Sequence, residues 1–113
     1  MLTYALLVFA VGALGGLFLA SFVLRGKLTP WVISLLHAVL GASGLILLLL
    51  GVMQGGSTRA LVALCVLVVA ALGGFYLASL HLQQKVAVKK AVLAHAGAAV
   101  TGVLILLSAV LTQ

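Results

Sequence analysis

LLHAVLGASGLILLLLG, Leu35 to Gly51, contains no charge and a single histidine. It belongs to an apolar run from Trp31 to Met53, and a run of about 20 such residues matches the hydrocarbon core of a bilayer. Three more runs read the same way: Leu2–Leu24, Ala60–Leu82 and Ala91–Thr112. The breaks between them, RGKLTP, QGGSTR and QQKVAVKK, are short and polar enough to turn outside lipid. The whole chain supports this reading, with 66% hydrophobic residues, 5% charged residues, and no Asp or Glu among 113 residues. Soluble domains carry about 25% charged residues. The expected fold is all-α, a single integral membrane domain over residues 1–113 with four spans and no soluble part. The start, MLTYALL, lacks the basic residues and small-residue cleavage site of a removable signal peptide, so the first helix is expected to stay. The lone Cys65 allows no internal disulfide.

Moved along itself by 58 positions, the chain aligns VFAVGALGGLFLASFVLRGK with VLVVAALGGFYLASLHLQQK. The register continues without a gap through LAHAGAAVTGVLILLSA, Leu93 to Ala109. Ala13, Leu14, Gly15, Gly16, Leu19, Ala20, Ser21, His37, Ala38 and Gly44 all meet identical partners. Leu and Ala richness inflates such matches, but the shared Gly-Gly and His point to internal duplication. Repeat 1 covers about residues 1–55 and repeat 2 about 59–113. Each copy holds two helices, so the fold is expected to be a four-helix bundle of two tandem parallel-repeat hairpins, related by a pseudo-twofold axis along the membrane normal.

Five of the six cations lie in or beside the first and third loops: Arg25, Lys27, Lys85, Lys89 and Lys90. The positive-inside rule puts those loops in the cytoplasm and both termini outside, as expected for a bacterial inner membrane. The partner this composition demands is the lipid bilayer. No nucleic-acid partner is expected, and a homo-oligomer stays open.

In an up-down-up-down bundle the second and fourth helices are diagonal neighbours. His37 and His95 then share one depth and face each other, about 10 Å below the basic loops. An ionisable residue inside a span is a functional hypothesis in itself. Two facing imidazoles, small residues and nearby cations suit one bis-histidine haem b, with His37 and His95 as axial ligands. Gly44 and Gly102, seven residues after each histidine, return to the same helix face. Gly41 lies on that side as well. Gly16 and Gly74, in Gly12-x-x-x-Gly16-x-x-x-Ala20 and Ala70-x-x-x-Gly74-x-x-x-Ala78, come to a similar depth and leave room for a macrocycle edge or a neighbouring backbone. Lys27 and Lys85 are placed to neutralise propionates. Each feature has a duller reading: small-xxx-small is a general packing device, a loop lysine is often only solvated, and a buried histidine can simply bond a carbonyl. His81 has Val23 as its repeat partner and reads as an interfacial residue near Lys85, with a reach to a propionate or a proton path as the alternative.

Zinc normally wants four N or S ligands. Copper favours added sulfur, and here Cys65 and the methionines lie far from the histidine level. The helix 2 and helix 4 histidines on duplicated hairpins resemble four-helix membrane cytochromes b, and loosely one half of the haem A synthase family. The resemblance covers the scaffold and His37 with His95. That family's acidic loop motifs are missing, so bis-histidine haem binding is implied but its oxygenase chemistry is not. Small multidrug-resistance transporters match in length only, because their mechanism needs a membrane carboxylate. No span shows the polar stripe of a water-filled pore. The function expected is a membrane b-type cytochrome, not an enzyme, passing electrons to a quinone or to subunits of a larger redox complex. The alternative is a non-catalytic structural or assembly subunit.

Overall fold

The computed structural model describes residues 1–113 and consists of four helices: α1 (Leu2–Leu24), α2 (Trp31–Met53), α3 (Thr58–Leu82) and α4 (Lys89–Leu111). Each is long and apolar enough to cross a membrane. At 1.5 Å per residue, 23 residues give about 34 Å, enough for the hydrocarbon thickness. The bundle measures 42 × 23 × 19 Å. This is an all-α, four-helix membrane protein whose outer faces meet lipid. Leu7, Leu14, Leu17, Val32, Leu72 and Phe75 are among the large apolar side chains it leaves exposed.

The closest pairs are α1 with α2 and α3 with α4, while α1 meets α4 and α2 meets α3 along the other two sides. The helices therefore run in order around a square, as short loops require. Three bounds differ from the sequence expectation, the starts of α3 and α4 and the end of α4, at Leu111 instead of Thr112. Helix α3 starts at Thr58 because the Ser57 hydroxyl accepts from the Ala60 N–H at 3.3 Å, an N-cap. Helix α4 takes in Lys89 and Lys90, whose long stems carry their charges toward the interface.

Three helix ends close in the same way. Lys27 N–H donates to Phe22 O, Gly56 to Gly51 O and Lys85 to Leu80 O, each beside a residue of positive φ: Gly26 (70°), Gly55 (93°) and Gln84 (54°). These are Schellman closures. They bring the chain round within a few residues, which keeps consecutive helices adjacent.

The apolar core is not central. Leu2, Ala5, Phe9, Leu48, Ala60, Ala63, Leu67, Leu106 and Ala109 cluster at the end that carries the chain termini. Lipid tails are as apolar as leucine, so this core is held by close fit, not by escape from water. The fit depends on three glycines, and a Cβ on Gly51 would lie 2.7 Å from Leu2 Cδ2. A Cβ on Gly44 would lie 2.7 Å from the Phe9 ring, and one on Gly102 would lie 2.6 Å from Leu67 Cγ. Gly44→Ala or Gly102→Ala is expected to destabilise the bundle by about 1–3 kcal/mol, the usual cost of overpacking. Thermal unfolding in detergent reads this out. In a Phe9→Ala background, Gly44→Ala should cost little more, because the ring it would meet is gone; a double variant as unstable as the sum of both single losses would argue against the packing account.

Candidate functional site

Toward the basic loops the packing changes character. Val23, His81 and Val92 are buried near the ends of α1, α3 and α4. Between that layer and the apolar core lie His37 and His95, both only partly buried. Their ring centroids are 6.2 Å apart with planes at 83°.

Each imidazole is fixed in the same manner. His37 Nδ1 lies 2.8 Å from Gly12 O on α1, and His95 Nδ1 lies 2.7 Å from Ala70 O on α3. A carbonyl oxygen only accepts, so Nδ1 carries the proton in both rings. The other nitrogen, Nε2, is then a lone-pair donor in each. Neither Nε2 has a hydrogen-bond partner, and neither is sealed from its surroundings. This is the tautomer a metal-ligating histidine takes, with one nitrogen tied to a backbone carbonyl and the other available.

The small-residue motifs make these bonds possible. A Cβ on Gly16 would sit 2.9 Å from His37 Cε1, and one on Gly74 would sit 3.2 Å from His95 Cε1. Glycine at each point is the seat of the ring. The acceptor carbonyl belongs to the residue one turn earlier, Gly12 or Ala70. With no side chain one turn above it, that carbonyl keeps its second lone pair open to a neighbouring helix.

The other sequence candidates fall into two groups. Gly41, like the nearby Gly15, has open space where a side chain would be. An apolar groove of about 240 Å³ between α1 and α2, lined by Val11, Gly15, Phe18, Leu36, His37 and Leu40, reaches the His37 side from outside the bundle. Gly44 and Gly102, read from the sequence as slot-lining, instead accommodate Phe9 and Leu67. Seven residues along α2 or α4 is about 10 Å of axis, which carries both glycines out of the histidine level and into the core. Lys27 and Lys85 are exposed in the first and third loops. Ser21 and Ser79 each bond back to their own helix, at Phe18 O and Tyr76 O, both at 2.6 Å.

Two features escaped the sequence reading. The duller reading, a histidine bonded to a carbonyl, is what both rings do, but which carbonyls accept, Gly12 O and Ala70 O, leaves no trace in a list of side chains. His81 is buried within the bundle: it is 6% exposed and stacked on Trp31 at 3.7 Å between centroids, with planes 10° apart. The available signal was its position seven residues after Gly74, on the same inward face of α3.

The geometry defines a class, a four-helix membrane protein with a cross-bundle histidine pair. Compared with known protein families, curated proteins and solved structures, the chain matches none of them.

Proposed function

We propose that the protein is a membrane b-type cytochrome, holding one haem between His37 and His95 and passing single electrons. The observation that carries this reading is the matched pair of Nδ1–H bonds to Gly12 O and Ala70 O, which leaves two free Nε2 atoms on rings 6.2 Å apart. Neutral imidazole nitrogens are common ligands of haem iron, and His37 and His95 would offer one each. The donor set therefore fits. Haem would supply a one-electron iron couple.

The chain's own residues do the rest. His37 and His95 would hold the haem iron, and with two protein ligands the group would supply electron transfer more readily than catalysis. Gly12 O and Ala70 O hold the ring tautomers and raise the basicity of Nε2. Gly16 and Gly74 set the depth of each ring. The apolar core flanks the pair at one end and the layer of Val23, His81 and Val92 flanks it at the other. Lys27 and Lys85 supply positive charge at the nearer surface.

The tandem hairpin repeat accounts for the matched bonds, since 37 − 12 and 95 − 70 are the same separation. Under the positive-inside rule the histidine end faces the cytoplasm. A lipid-soluble quinone or an adjoining redox subunit is the fitting partner.

The test is a reduced-minus-oxidised visible spectrum of the full chain, purified in detergent after expression with haem supplied. Sharp low-spin bands at about one haem per chain are expected. A folded, colourless protein would refute the cytochrome and turn the histidines into helix-packing groups.

A further inference from the structure

Arg25 and Gln83 occupy the same place in the 58-residue register, as the C-caps of α1 and α3. Both close the helix with the same side-chain bond. Arg25 Nε donates to Ser21 O at 3.0 Å, and Gln83 Nε2 donates to Ser79 O at 3.1 Å. A neutral amide therefore does the closing as well as a guanidinium. The charge at position 25 is surplus to the helix end.

That surplus charge is held in place. The guanidinium lies over the Phe22 ring, 4.9 Å from its centroid, and Phe22 packs edge-on against Phe18 at 5.2 Å. The bond and the ring draw the side chain back along the last turn of α1 instead of letting it extend into water. The Nε–H is used, while the four N–H groups on the two terminal nitrogens have no partner in the chain. No carboxylate side chain exists to meet them. Lys27 is tied to the same turn, because its backbone N–H donates to Phe22 O at 2.8 Å. Two exposed cations thus spring from one turn of α1, interleaved with exposed Leu24 and Leu28.

Depth and neighbours identify the anion. A helix of about 34 Å puts its last turn at the level of the lipid headgroups. A planar guanidinium pairs with phosphate oxygens through two parallel hydrogen bonds. A soluble phosphate has no use for apolar side chains beside the cations, whereas a phospholipid carries acyl chains that match them. Cytoplasmic leaflets supply such lipids with net negative charge.

We propose that Arg25 and Lys27 form a binding site for one anionic phospholipid, with the Arg25 terminal nitrogens on its phosphate and Leu24 and Leu28 against its acyl chains. The inference needs no haem and stands apart from the cytochrome reading. The positive-inside rule explains why cations gather at this end, but it counts charge and asks for no fixed geometry.

The experiment is native mass spectrometry of the full chain in detergent, titrated with phosphatidylglycerol or with phosphatidylcholine of the same acyl chains. Wild type should retain one phosphatidylglycerol in preference to phosphatidylcholine. Arg25→Gln keeps the closing bond, as Gln83 does, and is expected to bind that lipid about five-fold more weakly, the worth of one cation at a membrane surface. Lys90→Gln at the same end and Arg59→Gln at the opposite end remove the same charge and should change little. Gln83→Arg, which sets a guanidinium two residues from Lys85, should add a second retained lipid. Circular dichroism establishes that the helices persist in each variant. Equal retention of the two lipids by wild type, or equal losses in Arg25→Gln and Lys90→Gln, would reduce the attraction to a diffuse field and overturn the site. Displacement of the lipid by inorganic phosphate would assign the cations to a soluble anion and overturn it as well.

Discussion

His37→Ala and His95→Ala are each expected to abolish the six-coordinate low-spin spectrum, and to do so to the same extent. The reason is the shared site. The two rings lie 6.2 Å apart and present one free nitrogen each, so neither is a ligand set alone. Removing one leaves a single axial nitrogen and a high-spin or empty protein. Each removal also vacates a pocket the size of an imidazole between the remaining ring and a glycine, Gly16 or Gly74. Free imidazole at millimolar levels should therefore restore low-spin bands in both variants. The structural-subunit alternative predicts something different. There each histidine matters only through its own bond to Gly12 O or Ala70 O, and loss of one net hydrogen bond costs about 0.5–1.5 kcal/mol. The damage would be local, small and without a spectral signature. Unequal effects of the two alanines, with no rescue by imidazole, would decide for that alternative.

Helix number, order and span limits were legible because lipid leaves a chain few choices. Backbone groups in hydrocarbon must be satisfied within a helix, so a run such as Trp31–Met53 has one available form. The diagonal placing of α2 and α4 followed from loops too short to cross the bundle. That His37 and His95 come to one level, 6.2 Å apart, followed from counting residues.

Side-chain direction at the next level was less legible. Gly44 and His37 share a face by helical arithmetic, but a face runs the length of the bundle, and only the structure shows Phe9 filling the space above Gly44. The burial of His81 was not legible because a place in the last turn of a helix suggests exposure. The first loop folds back over that end, and Trp31, 42% exposed itself, covers the ring. Tertiary closure of this kind has no periodic signature in the sequence.

The small-residue motifs were ambiguous for a related reason. Gly12-x-x-x-Gly16 looks the same whether it admits a neighbouring backbone, a macrocycle or a ring. Gly16 and its neighbour Gly15 separate these cases. At Gly16 an added Cβ meets His37 Cε1 at 2.9 Å, whereas at Gly15 it meets nothing within 4 Å. Gly16→Leu is therefore expected to push the imidazole off its seat and cover Gly12 O, breaking the bond that fixes the tautomer. Loss of such an orienting contact lowers metal affinity by about 10–100-fold. Gly15→Leu, on the open groove, should bind haem as wild type does. Both substitutions add the same apolar surface to the same helix, so neither hydrophobicity nor helix propensity can explain a difference. Gly74→Ala should be milder than Gly16→Ala, because its clearance to His95 Cε1 is 3.2 Å and a small ring shift relieves it. Haem titration of the four variants, with circular dichroism to establish that the helices persist, tests the order. Equal loss in Gly15→Leu and Gly16→Leu would mean that the glycines serve backbone approach along the whole helix, and that the histidines are seated by something other than the missing side chain.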